Sequence, residues 1–156
     1  MKTTTPHWIA IGILVSLLAA GAFKVIVLGN TEQAEDGRTA VILEPAERLA
    51  VLGEMRILLE TTQTVIEALA NDDLVAVEAA ARSIGSDANT TVDFSLAAKL
   101  PLKFKKMGFG THHAFDEIAN MAKEGQPAKT IQLKLTETMN NCIACHASFR
   151  LPEKHL

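Results

Sequence analysis

Tyrosine is absent from this chain of 156 residues, aromatic side chains make up only 4% of it, and cysteine occurs just twice. Glycine is also scarce, while alanine, leucine and glutamate are plentiful, and no strand-like alternation is evident. Together these features predict an all-α fold. A core short of large rings can be completed by a large flat cofactor. Basic residues are not in excess: 15 Lys and Arg stand against 18 Asp and Glu, a net charge of −3. Nothing in that balance points to nucleic acid as a partner. The two cysteines lie three residues apart, too close for a disulfide to close a loop of any stabilising size. What remains is a redox dithiol, half of a metal site, or a haem attachment.

Long apolar runs are confined to the amino terminus. Trp8 to Phe23 is uncharged, and after Lys24 the run continues through Val25, Ile26, Val27 and Leu28. Residues 1–29 therefore form a membrane anchor or a secretory signal. As a signal, the segment has Lys2 at its basic end and Ala20-Gly21-Ala22 as a small-residue cleavage site. As an uncleaved anchor, Trp8 to Leu28 matches the hydrocarbon thickness, with Lys24 near the interface. Phe23 to Leu28 is an unusually apolar start for a mature soluble protein, which favours the anchor. Both readings export the rest of the chain, and Glu32, Glu35 and Asp36 on the outer side agree with the positive-inside bias. The expected location is a periplasmic domain tethered to the inner membrane, or a soluble periplasmic protein after cleavage.

Residues 30–43 read as a tether, and residues 44–156 as the domain. Pro45 suits a first helical turn, and a helix over 45–70 carries two apolar stripes: Leu49, Leu52, Leu59 and Ile66, and Val51, Met55, Leu58, Val65 and Leu69. Asn71-Asp72-Asp73 breaks and recaps the chain, and a helix over 73–84 buries Leu74, Val77, Ala81 and Ile84, with Gly85 as its stop. Residues 85–110 show no clean period; the stretch is either functional or carries a short helix of its own. A third helix is predicted from Thr111, as N-cap, to Gly125, burying Phe115, Ile118, Ala119 and Ala122. Pro127 opens a fourth, on which Ile131, Leu135, Met139, Cys142, His146 and Phe149 share one face, and Pro152 ends it. Four such helices predict a four-helix bundle preceded by one N-terminal transmembrane or signal helix.

Cys142-Ile143-Ala144-Cys145-His146 is a c-type haem attachment motif. Two thiols three apart on one helical turn can add to the two vinyl groups of a porphyrin, and the histidine after the second reaches the iron. Cys142 and His146, one turn apart, face the same side. A thioredoxin-type dithiol wants an α/β pattern, which is missing. Structural zinc wants a second pair of ligands at a matching spacing. One covalent haem c is the expected cofactor.

With this motif ten residues from the end, on the last helix, and continuing as Ala147-Ser148-Phe149-Arg150, the chain resembles the cytochrome c′ and cytochrome c556 family. The resemblance extends loosely over residues 45–152; the long segment 85–110 and the anchor depart from the soluble members. It implies a four-helix bundle in which the first helix supplies the position opposite His146. Methionine there gives a six-coordinate electron carrier, and a non-ligating residue gives a five-coordinate protein that binds NO or CO. Counting back from the first interhelix break, the matching position falls close to Met55, so His146 and Met55 are the expected axial ligands. A core-filling role for Met55 is the plainer alternative. The expectation is an electron carrier and not an enzyme. Its partners would be redox proteins, or a respiratory or photosynthetic membrane complex of which the chain is a fixed haem subunit. The family also allows a homodimer through the first two helices.

Arg48, two turns before Met55, and Arg150, one turn after His146, are candidates for haem or propionate contacts; a solvated surface role is the alternative for Arg48. His112 shares a stripe with Phe115 and can point inward, as a ligand or as a capping or propionate-contacting group. His113 reads as surface, and His7 and His155 as uninvolved. Met107, Met121 and Met139 read as core. Lys99, Lys103, Lys105 and Lys106 form the basic cluster of the domain. Set against the acidic stretch 44–93, it can steer a charged partner, or simply solvate a loop.

Overall fold

A computed structural model describes residues 5–89 and 93–153; Lys2 and His155 lie outside the described residues. The chain is mostly helical. Helix α1 (Thr5–Phe23) continues through a wider, π-type turn over Lys24–Leu28. It is followed by strands β1 (Thr31–Gln33) and β2 (Thr39–Val41), and by helices α2 (Pro45–Ala70) and α3 (Leu74–Arg82). A short 3₁₀ turn, Ser86–Asn89, precedes α4 (Phe94–Lys99), α5 (Leu102–Lys123), α6 (Ala128–Ser148) and strand β3 (Phe149–Arg150).

Local chemistry explains most of these boundaries. Pro45 starts α2, and the Glu47 carboxylate accepts from the N–H of Glu44 at 2.8 Å, satisfying a donor at the helix start. Asp73 caps α3 by accepting from Ala76 N at 2.9 Å. Gly125, at φ +72°, takes the left-handed conformation that ends α5. Helices α2, α3, α5 and α6 pack in a cycle, α2 on α3, α3 on α5, α5 on α6 and α6 on α2, with α2 and α6 meeting least closely. The main core fills this cycle with Val65 and Leu69, Val77 and Ala81, Phe115 and Ile118, and Ile131 and Leu135. Of the two stripes on α2, the one through Val51, Val65 and Leu69 is buried, whereas Leu49, Leu59 and Ile66 of the other are exposed.

Two expectations are corrected. The first is the tether. Residues 30–43 fold as a hairpin, β1 antiparallel to β2, and β2 also pairs in parallel with β3 at the end of α6. Val41 and Leu43 are buried in a second apolar cluster with Val51, Leu100, Phe104 and Phe149. The segment thus belongs to the domain, held there by apolar burial and by the ladder to β3. The second is the third helix, which begins at Leu102 rather than at Thr111. The Thr111 hydroxyl lies inside it and donates to Met107 O at 2.9 Å. The true start follows Pro101, which occupies the N-cap, and Gly108 is carried within the helix.

Helix α1 is apolar on every side and exposed throughout, from Trp8 to Phe23. With the π turn it makes a stretch, His7–Leu28, of mean hydropathy 2.4, long and apolar enough to cross a membrane. It fits an anchor or a signal segment, and it is exposed along its length apart from the half-buried Val27 in its last turn.

Candidate cofactor-binding cleft

Between α2, α5 and α6 lies a cleft of about 280 Å³, lined mainly by apolar groups. The apolar stripe of α6 leads into it. Ile131 and Leu135 are fully packed in the core, and the same face then presents Met139, Cys142 and His146 to the cleft. Cys145 joins them, so both thiols and the histidine of the attachment motif line one wall. Met55 lines it from α2, together with Leu58 and Leu59, and α5 contributes Phe104, Met107, Thr111 and Phe115.

Both thiols are free. Burial pushes the Cys142 thiol up, and burial followed by the neighbouring Cys142 raises that of Cys145, with Lys103 acting the other way. Burial thus acts opposite to the lowered thiol pKa through which a redox dithiol works. Among the described residues there is no group of three or more His, Cys, Asp and Glu that could hold a bare metal ion. The residues do fit a haem: two protonated thiols and a histidine on one turn, facing an apolar slot, with a thioether on the facing helix. The His146 ring makes no hydrogen bond or ion pair among the described residues.

His112 is buried in the wall of the same cleft, but both ring nitrogens are engaged. Nδ1 lies 2.7 Å from the Ile84 carbonyl, and Nε2 lies 3.1 Å from Oε1 of Glu54. Glu54, beside Met55 on α2, is a polar group of this wall that sequence reading missed; its only signal was a carboxylate one residue from a candidate ligand. Met107 lines the cleft as well, from a part of α5 where the sequence shows no clean helical period.

The two expected arginines are directed elsewhere. Arg48 donates from Nε to Leu151 O at 3.0 Å and stands 3.8 Å from Glu153. Arg150 pairs with Asp36 at 3.3 Å. Neither lines the cleft. Arg38, which sequence reading also passed over, approaches the site from behind. Its Nη1 donates to the carbonyls of His146, at 3.3 Å, and Phe149, at 3.5 Å. Its Nη2 holds Asp36 at 2.7 Å. The Arg38 guanidinium keeps the Asp36 carboxyl below the usual range, with Arg150 adding to the effect.

The lysine cluster is partly spent inside the fold. Lys99 pairs with Glu47 at 2.6 Å, and Lys105 donates to Ala97 O at 3.2 Å. Lys103 reaches Ser148 Oγ at 3.3 Å and lies 6.0 Å from the centre of the Phe149 ring. His113 is exposed, as expected, with Ser86 Oγ at 2.7 Å from its Nδ1. Comparisons of the chain with models of protein families, with curated proteins and with solved structures find no match.

Proposed function

We propose that this protein is a monohaem c-type cytochrome that passes single electrons at the periplasmic face of a membrane. Cys142 and Cys145 would hold the haem covalently, and His146 and Met55 would ligate its iron. One observation carries the reading: the two thiols, His146 and Met55 line the same apolar cleft from facing helices. Bound there, haem c supplies a one-electron iron couple. The chain does the rest. Leu58, Phe104 and Phe115 keep water from the slot, and Met55 offers a soft ligand that favours the reduced metal. Arg38 ties the backbone of His146 to the hairpin, which would steady the helix end that carries the ligating imidazole.

The closed cycle of α2, α3, α5 and α6 supports a four-helix bundle. The apolar His7–Leu28 stretch supports an uncleaved anchor. Its last turn packs on α4 and α5, which joins the stretch directly to the domain it would hold at the membrane. Anchoring confines the carrier to the plane of its partners and raises their effective concentration. Those partners are redox proteins of the membrane, or a complex in which this chain is the haem subunit.

The visible spectra of the oxidised and reduced protein test the reading. Low-spin spectra in both states, converted to high-spin by Met55→Ala with rapid carbon monoxide binding, are expected. A parent protein that is already high-spin and binds carbon monoxide rapidly overturns Met55 ligation, and favours a gas-binding role in which Leu58 and Leu59 roof an open face. Absence of covalent haem after expression with a haem-attachment system overturns the whole reading.

A further inference from the structure

The apolar N-terminal helix is not hinged to the domain but locked to it. The Lys24 carbonyl accepts from the Gly29 amide at 2.9 Å, closing the last turn of the helix, and the Lys99 carbonyl accepts from the Asn30 amide at 2.7 Å. The Asn30 side chain then donates to Ile42 O at 2.9 Å, while the Ile42 amide donates back to Asn30 O at 2.9 Å. Gly29 sits at φ +66° directly against the backbone of Lys99, Leu100 and Pro101, where no side chain has room. Two residues thus join the apolar helix to the sheet, and both are clamped by the end of α4.

Helix α4 itself packs against the last apolar turn, Lys24–Leu28. It starts at Phe94, an aromatic side chain that is 82% exposed. Val25, Ile26 and Leu28 of the turn beside it are exposed as well. Helix α4 is only six residues long and its far end, Lys99, holds Asn30, so an exposed aromatic and exposed aliphatic groups lie on adjoining elements where the apolar helix leaves the domain, and aromatic side chains gather at such membrane–water boundaries.

We propose that α4 is a membrane-contacting foot. Phe94 enters the lipid interface beside the helix exit, and together with the locked junction at Gly29 it holds the domain, and with it the cleft, in one fixed stance on the bilayer. The proposal rests on the anchor reading of residues 1–29. The occupant of this surface is the lipid of the same membrane, because α4 packs on the exposed apolar turn that continues the membrane-length stretch His7–Leu28. A fixed stance presents the mouth of the cleft to membrane partners in a single orientation, which removes the rotational search a flexible tether would impose.

The test uses the full chain in vesicles of phosphatidylethanolamine and phosphatidylglycerol, with a photoreactive benzoylphenylalanine replacing Phe94, Leu17 or Val75 in turn. Phe94 and Val75 are both exposed, so both sites tolerate the larger ring, and Val75 on α3 serves as the distant control. Lipid adducts at positions 17 and 94, and none at 75, are expected. Adducts at 17 but not at 94 leave the anchor standing and overturn the foot. Protein–protein adducts at 94 overturn it in favour of self-association. No lipid adduct at 17 overturns the anchor and the foot together.

Discussion

His112 and Glu54 form an ion pair in the wall of the cleft, with 3.1 Å between Nε2 and Oε1. The other ring nitrogen faces the Ile84 carbonyl, which can only accept, so Nδ1 must donate. Nε2 then meets a carboxylate, and the ring is best satisfied when both nitrogens carry protons. The bond to Glu54 raises the His112 pKa; burial opposes it, and the Ile84 carbonyl and the charges of Glu54 and Asp116 reinforce it.

A raised pKa in the folded state means that this pair stabilises the protein fully below the unfolded value of about 6.5. The contribution fades as pH rises through the higher folded value. Replacing the ring by His112→Gln is expected to cost about 1.5 kcal/mol at pH 6, at the low end for charge-assisted bonds because Glu54 is partly solvated. The cost should shrink at pH 8 to 9. Urea unfolding of parent and variant across that range measures it, and a gap that widens with pH would contradict the assignment of a charged ring.

Arg38→Ala removes the donor that joins the hairpin to the carbonyls of His146 and Phe149. A net loss of about 1 kcal/mol is expected from bonds of this kind at a partly exposed site. The diagnostic readout is local. Amide exchange should quicken over residues 146–150 while the α3–α5 core keeps its protection. Uniform quickening over the whole chain would mean that Arg38 acts on global stability and not on the end of α6.

Several parts of this architecture were legible in the sequence because each rests on a local signal. Pro45 and Asn71-Asp72-Asp73 bracket α2, and Pro127 and Gly125 separate α5 from α6. The spacing of Ile131, Leu135, Cys142 and His146 assigns one face of α6, and the structure brings Cys142, Cys145 and His146 to one cleft wall. The hairpin was not legible. Its strands are three residues each, too short for alternation to register, and the ladder that ties β2 to the domain runs to Phe149, more than a hundred residues away. The start of α5 was hidden by Gly108 and Gly110, which read as breakers. A side chain added at Gly108 would meet nothing, so the glycine breaks no packing and only lowers local propensity. The partners of Arg48 and Arg150 were likewise invisible, because both lie in segments distant in sequence.

Two glycines offer opposite outcomes from the same substitution. Gly29→Ala places a methyl group against the backbone of Lys99 and Pro101 at positive φ, and should cost about 2 kcal/mol or more, since left-handed backbone alone costs an L-residue about 1–2 kcal/mol. Gly53, inside α2, has open space where a side chain would stand, so Gly53→Ala should stabilise the helix by about 0.5–1 kcal/mol. Thermal unfolding of the two variants beside the parent checks both signs. Equal stability of Gly29→Ala and parent would show that the junction gives way, and would weaken the case for a rigid link between helix and domain.

The hairpin provides the sharpest contrast between a tether and a structural element. A chain starting at Glu44 lacks Val41 and Leu43, 0% and 3% exposed in the intact protein, and lacks the strand that pairs with Phe149. Losing two buried side chains of this size removes about 3–6 kcal/mol of apolar burial, and it uncovers the edge-to-face pair of Phe104 and Phe149, whose rings are 5.4 Å apart. Against a chain starting at Gly29, the shorter one should unfold at a clearly lower urea concentration. The steepness of its transition should also fall, because less surface remains to be exposed on unfolding. Phe149 directly follows the helix that carries Cys142, Cys145 and His146, so the shorter chain should also hold that helix end loosely, with faster amide exchange over 145–150. Coincident unfolding curves for the two chains would return residues 30–43 to the role of a passive linker.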